Sequence, residues 1–153
     1  MPGIHEVRRL PYSAEQMFDL VADVARYGEF LPWVKATRVR SDTEDELIAD
    51  MLVGFSAIRE KFTSRVEKRR PEEIRVHYVD GPLRDLDNRW LFRPLGPGEC
   101  EVDFTVDFAF RNALFEKLAG QYFDRAFHKM VAAFEARAAE LYGNNSSSAT
   151  SAA

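Results

Sequence analysis

The chain has 153 residues, 46% hydrophobic and 30% charged, a length and balance that fit one globular domain with a core of its own. A net charge of −4 argues against a generic nucleic-acid binder, DNA included, and the single Cys100 excludes an internal disulfide framework. No apolar run approaches a membrane span and no signal-peptide core opens the chain, so the expected location is cytoplasmic. Twelve Phe, five Tyr and two Trp supply much flat apolar bulk, which fits either a thick aromatic core or a lined cavity.

The first element is a short strand from Ile4 to Leu10, stopped by Pro11. Ser13 and Gln16 form a capping box, and Tyr12 with Met17 has staple spacing, so a helix starts at Ala14 and buries Met17, Phe18, Leu20, Val21 and Val24. Asp23 is placed to cap a second short turn. The segment Tyr27-Gly28-Glu29-Phe30-Leu31-Pro32-Trp33 follows, where Gly28 and Pro32 forbid a long regular element. A loop so rich in hydrophobes plugs a core or guards a pocket mouth.

From Val34 the hydrophobic period becomes two. Strands are predicted near Val34–Ser41, Glu46–Val53, Ala57–Lys68, Glu73–Val79, Asp87–Arg93 and Glu99–Phe110. The turns are Asp42–Asp45, Arg70-Pro71-Glu72, Gly81-Pro82 and Gly96-Pro97-Gly98. Val102, Phe104, Val106, Phe108 and Phe110 alternate with polar residues, giving one dry face. Short connections imply an antiparallel meander, and Gly54 is expected to mark a bulge that bends it.

A sheet with one dry face needs a cover. The apolar residues Phe115, Leu118, Ala119, Tyr122, Phe123, Ala126, Phe127, Met130, Val131, Phe134 and Leu141 recur at helical spacing, predicting a helix from Asn112 to Tyr142. At ~1.5 Å per residue it runs roughly 45 Å and must lie across a broad surface. The expected fold is α+β: a curved antiparallel sheet of about seven strands gripping a long C-terminal helix, in one domain over residues 1–142. The Gly, Asn, Ser, Ala and Thr tail from 143 to 153 is expected to be disordered.

Parity exposes two polar positions. If Phe62 and Val66 face inward, so does Glu60; if Trp90 and Phe92 do, so does Asn88. Both groups either stay solvated at a rim or orient a polar head group in an oily space. His5, His77 and His128 lack metal spacing, and no phosphate loop, nucleophile elbow or Cys/His pair is present. Tyr27, Glu60 and Asp85 are acid–base types that nothing in the sequence pairs.

The order of these elements carries a resemblance, together with Tyr27-x-x-Phe30-Leu31-Pro32-Trp33, Val53-Gly54-Phe55 before Glu60-Lys61-Phe62-Thr63, Gly81-Pro82-Leu83 before Trp90-x-Phe92, and Phe108-x-Phe110-x-Asn112. Over residues 3 to 142 the chain resembles the coenzyme Q-binding and ribosome-association-toxin branch of the START-like, polyketide-cyclase-like superfamily. The resemblance implies a helix-grip fold with a hydrophobic tunnel between the last helix and the sheet. That tunnel would bind ubiquinone or a similar lipid as a non-covalent ligand, supporting respiratory electron transfer without catalysis or metal. It implies Phe30, Pro32 and Trp33 at the mouth and Phe55, Trp90 and Phe92 in the wall, although Trp33 equally suits a packing plug. Periodicity adds Phe123, Ala126, Phe127 and Met130 from the helix, and the remaining candidate ligand contacts are Glu60, Phe62, Asn88, Phe104 and Phe108.

Three functions stay open. The first is a quinone or lipid carrier, with transient contact at the inner membrane. The second is a toxin bound to a ribosomal subunit, whose only local support is the basic cluster Arg65, Lys68, Arg69 and Arg70. The third is a cyclase or aromatase using Glu60 and Asn88. Fold alone does not choose among them.

Overall fold

A computed structural model describes residues 3–55 and 58–143, with the side chains of 55, 58, 115 and 118–124 excepted. The expected disorder of the tail lies outside these residues from 144 onward. Seven strands form one antiparallel sheet in the order β1-β7-β6-β5-β4-β3-β2. They are β1 (Gly3–Leu10), β2 (Val34–Asp42), β3 (Glu46–Phe55), β4 (Ile58–Arg69), β5 (Glu73–Asp80), β6 (Leu83–Gly96) and β7 (Glu99–Phe110). Strands β2 to β7 are a meander, and β1 closes the far side against β7, its pairing ending at Leu10↔Cys100 just before Pro11.

Helix α1 (Ala14–Ala22) begins as its capping box requires. The Gln16 amide N–H donates to the Ser13 hydroxyl at 3.1 Å, and the Ser13 N–H donates to the Gln16 side chain at 2.9 Å. A 3-10 helix, Val24–Glu29, follows. Asp23 precedes it without a side-chain capping bond: its carbonyl accepts the Arg26 N–H, and its carboxylate pairs with the Arg26 guanidinium at 3.2 Å.

The long helix α2 spans Ala113–Ala138, with the Asn112 side chain accepting the Leu114 N–H at 2.8 Å. It ends in a π-helical turn, Ala139–Gly143, so the α-helical period fails before Leu141. Leu141 is consequently exposed rather than on the buried face, and Tyr142 packs toward Tyr12. Among the described residues two ion pairs hold α2 down: Arg8 of β1 with Glu135 at 3.2 Å and Arg137 with Glu29 at 2.7 Å.

The expected bulge at Gly54 is not there. Register between β3 and β4 is unbroken through Gly54↔Arg59, while the pairs Val34↔Val53 and Ala36↔Leu52 leave Lys35 of β2 as the extra residue. Gly54 serves this bulge from across the strand gap. A Cβ at Gly54 would sit 2.8 Å from Lys35 Cε, so the missing side chain lets the lysine stem lie over β3. Further irregularities in β2, β5 and β6 add to the bending. Strand β6 also starts four residues earlier than its alternation suggested, because Leu83 pairs with Phe110.

Candidate functional site

Alternation decides what each strand offers the concave side. Trp90 pairs with Phe104, Asn88 with Val106 and with Val76, Met51 with Phe62, and these positions all face α2. The side chains do not fill the space. A cavity of about 370 Å3 remains between the sheet, α2 and the 27–34 segment, bordered almost wholly by apolar groups. That volume falls in the range of small-molecule sites.

Of the residues expected from the sequence, Trp33, Phe62, Asn88, Trp90, Phe104, Phe108, Ala126, Phe127 and Met130 border this cavity. The side chains of Phe55 and Phe123 lie outside those described. Four others are placed elsewhere. Phe92 is buried behind Trp90, with its ring 5.7 Å from Phe18, in the packed part of the core. Pro32 is exposed. Phe30 packs 5.3 Å from Phe134 and lies under the Arg137 guanidinium, 5.3 Å from ring centre to Cζ. The physical reason is the tight turn after the 3-10 helix: the Leu31 N–H bonds to the Tyr27 carbonyl at 2.9 Å, placing Leu31 at the cavity and Phe30 against α2. Glu60 is half-buried on the inward register opposite Val53 but does not border the cavity.

The polar groups in this apolar space are few. Tyr27 donates its hydroxyl to the Val21 carbonyl, and burial, reinforced by Asp23, pushes that phenol far above its ordinary range. Asn88 donates from its amide to the Thr105 carbonyl at 3.0 Å and accepts the Trp90 indole N–H at 3.3 Å. Ser64 borders the cavity, and among the described residues its hydroxyl has no hydrogen-bond partner. The same alternation that turns Phe62 and Val66 inward runs through Ser64, so this residue was within reach of sequence reasoning. Tyr27, Leu31 and the β5 residue Val76 also border the cavity; the first two lie in the Tyr27–Trp33 segment and Val76 in the alternation Ile74, Val76, Tyr78, but none is among the expected contacts.

The other candidate clusters dissolve into ion pairs or remain apart. Arg65 pairs with Glu46 (3.2 Å), Lys68 with Asp42 (2.6 Å), Arg69 with Glu73 (3.5 Å) and Arg70 with Asp19 (2.8 Å), so the expected basic patch is neutralised by its neighbours. His5 and His77 meet Asp103 and Glu67, and among the described residues no group of His, Cys, Asp and Glu could hold a metal ion. Cys100 is buried between β1 and β6, which raises its thiol to about 11.

A long helix gripped by a curved antiparallel sheet over a hollow apolar interior is the START-like architecture, and the chain belongs to the polyketide cyclase / dehydrase and lipid transport family, which it matches over residues 10–135. The chain is 38% identical to the ribosome association toxin RatA of Escherichia coli K12, over 93% of this chain and 90% of that one. It is 36% identical to the mitochondrial coenzyme Q-binding protein COQ10 homolog B of Xenopus laevis, over 90% of this chain and 58% of that protein. The solution structure of the 18 kDa protein CC1736 of Caulobacter crescentus superposes with a TM-score of 0.74 at 38% identity, covering 94% and 99% of the two chains. Among the described residues no helix is long and apolar enough to cross a membrane.

Proposed function

We propose that this protein binds, without altering it, an isoprenoid quinone such as ubiquinone or a lipid of similar chemistry, and thereby supports respiratory electron transfer. The observation that supports this best is an apolar cavity of about 370 Å3 bordered by a hydroxyl, that of Ser64, with no hydrogen-bond partner among the described residues. An unpaired hydroxyl in a low-dielectric space favours a guest that brings an oxygen function to it. The cavity has room for a quinone ring and the start of a prenyl tail, so most of a long tail would lie outside. Loading from the cytoplasmic surface of the inner membrane then requires only transient contact. The similarity to a protein named for coenzyme Q binding agrees with this reading.

A non-enzymatic role is supported by how the polar groups are used. Tyr27 and Asn88 are committed to Val21, Thr105 and Trp90, and Glu60 sits away from the cavity lining, so among the described residues these groups do not form an acid–base pair in the cavity. Organic extraction of the purified protein followed by mass spectrometry tests the reading. A prenylated quinone with unchanged redox state is expected. Extracts free of lipid, with no thermal shift on adding a short-tailed ubiquinone, would remove it.

A second reading, association with a ribosomal subunit, is favoured by the 38% identity shared with a ribosome association toxin across nearly the whole of both chains.

A further inference from the structure

The outer face of the sheet is divided in charge. On β5, β6, β7 and β1 Arg75 is matched by Asp87, Arg89 by Glu73, Arg93 by Glu101 and Arg9 by Glu99, and Arg84 at the irregular start of β6 stands apart, with no ion pair among the described residues. At the Gly54 end of β2–β4 the cations are not matched. Lys35, Arg38, Arg59 and Lys61 are exposed and make no ion pair among the described residues. Arg40 beside them has one carboxylate, Asp50, at 2.8 Å, while farther along β4 Arg65 and Arg69 are paired with Glu46 and Glu73.

Register shows how these cations are arranged. Crossing from β2 through β3 to β4, Lys35 overlies Gly54, which pairs with Arg59; Leu52 pairs with Lys61; and Arg38 pairs with Asp50, which pairs with Thr63. The middle strand is a low floor of Gly54, Leu52 and Asp50, the last sunk to 6% exposure under Arg40 and Thr63. Cations rise on both sides, roughly 10 Å apart across the floor and repeating about every 7 Å along a strand. Five cations against one carboxylate repel one another in a chain whose acidic residues, 25 against 21, are in excess.

The geometry points to this trough as a binding surface for the phosphate backbone of a structured RNA. A trough fits a linear polyanion, and cations on two sides can grip it. A bilayer-seeking surface would add exposed large apolar side chains, and those of this protein, Val7, Val79, Leu95, Leu114 and Leu141, lie elsewhere among the described residues. No aromatic ring occupies the described outward positions of β2–β4, so the contact is to backbone rather than stacked bases. RNA rather than another polyanion rests on the second reading above.

The test is fluorescence anisotropy with a labelled RNA stem-loop at salt from 50 to 200 mM. It compares the wild type, the quadruple variant K35Q/R38Q/R59Q/K61Q, and a control of equal charge change at paired sites, R75Q/R89Q/R93Q/R9Q. Four phosphate contacts predict that wild-type affinity falls about 100-fold over that range. The quadruple variant should bind at least about 10-fold more weakly at 50 mM with a shallower salt dependence, the control should bind like the wild type, and the thermal midpoint of the quadruple variant should not fall. Equal weakening by both variants would overturn the inference, as would tight quadruple-sensitive binding to phosphatidylglycerol vesicles with none to RNA. Sedimentation with ribosomal subunits separates the two readings. Wild-type and quadruple variant co-sedimenting alike would remove the trough and leave subunit association standing. Stem-loop binding lost in the quadruple variant, with no wild-type co-sedimentation, would keep the trough and remove that association.

Discussion

The concave face of the sheet has a packed end and a hollow end, and both are built from aromatic residues. At the packed end, toward the β6–β7 hairpin tip, α1 drives Met17 and Phe18 onto Phe92 and Val102, and all four are nearly inaccessible. At the other end Phe62, Leu86, Phe108 and Ala126 surround empty volume. Between them stands a layer of rings: Trp90 meets Phe104 at 4.5 Å and Phe134 at 5.3 Å, and Phe104 meets Phe127 at 5.4 Å. The lesson is that an excess of phenylalanine does not itself distinguish a thick core from a cavity. What distinguishes them is whether a covering element reaches the ring. Helix α1 is short, contacts β5, β6 and β7, and leaves the rest of the concave face to α2 and the 27–34 segment.

If that contrast is right, truncation should cost unequal amounts at the two ends. Phe18→Ala should destabilise by about 3–5 kcal/mol, the figure for opening a cavity in a close-packed core. Phe62→Ala, already bordered by space, should cost only about 1–2 kcal/mol while weakening quinone binding. Denaturant midpoints for the two delipidated variants check the ranking, and equal losses would erase the distinction.

A finer effect is expected from Ser64→Ala. Removing a hydroxyl with no hydrogen-bond partner among the described residues should leave the unliganded stability unchanged, yet weaken an oxygen-bearing guest by about 2- to 12-fold, the worth of one hydrogen bond. Affinity for a matched hydrocarbon should not change. Isothermal titration with a short-tailed ubiquinone and with its deoxygenated analogue separates the two.

The smallest expected effect is acid sensitivity confined to the hollow end. Asp50 lies on the back of the β3–β4 wall, and the Thr63 hydroxyl at 2.6 Å, then Arg40, hold its carboxyl below the usual carboxylate range. Because the folded value is below the unfolded one of about 3.9, the stabilisation is complete above that pH and is lost as pH falls through the folded value. Hydrogen exchange in β3 and β4 should therefore accelerate below about pH 4 before exchange in α1 does, and Asp50→Asn should abolish that pH step.

Much of this was legible in the sequence because it was periodic. The alternation through Val102 to Phe110 predicts β7 with the limits it has, Glu99–Phe110, and Ser13 with Gln16 places the start of α1. Features that belong to two strands at once were not legible. Gly54 looked like a bulge, but the inserted residue is Lys35 on its neighbour, and only register tells which strand carries the extra residue. The aperiodic 27–34 segment hid its directions too: Leu31 faces the cavity, Phe30 faces α2, and Pro32 faces solvent. Within the site, Ser64 shares the parity of Glu60 and Phe62, but a small hydroxyl gives neither the charge nor the bulk that marks a candidate contact in a sequence.

The most direct test of the hollow end uses Ala126, on the α2 face that borders the cavity. Ala126→Phe places a ring where the guest would lie. The measurement is a denaturant midpoint for delipidated wild type and variant, read beside the thermal shift each gives with a short-tailed ubiquinone. A hollow end predicts nearly equal midpoints, a shift for the wild type and none for the variant. A variant destabilised by about 1–3 kcal/mol, the cost of overpacking a filled core, with no ligand shift in either protein, would contradict it.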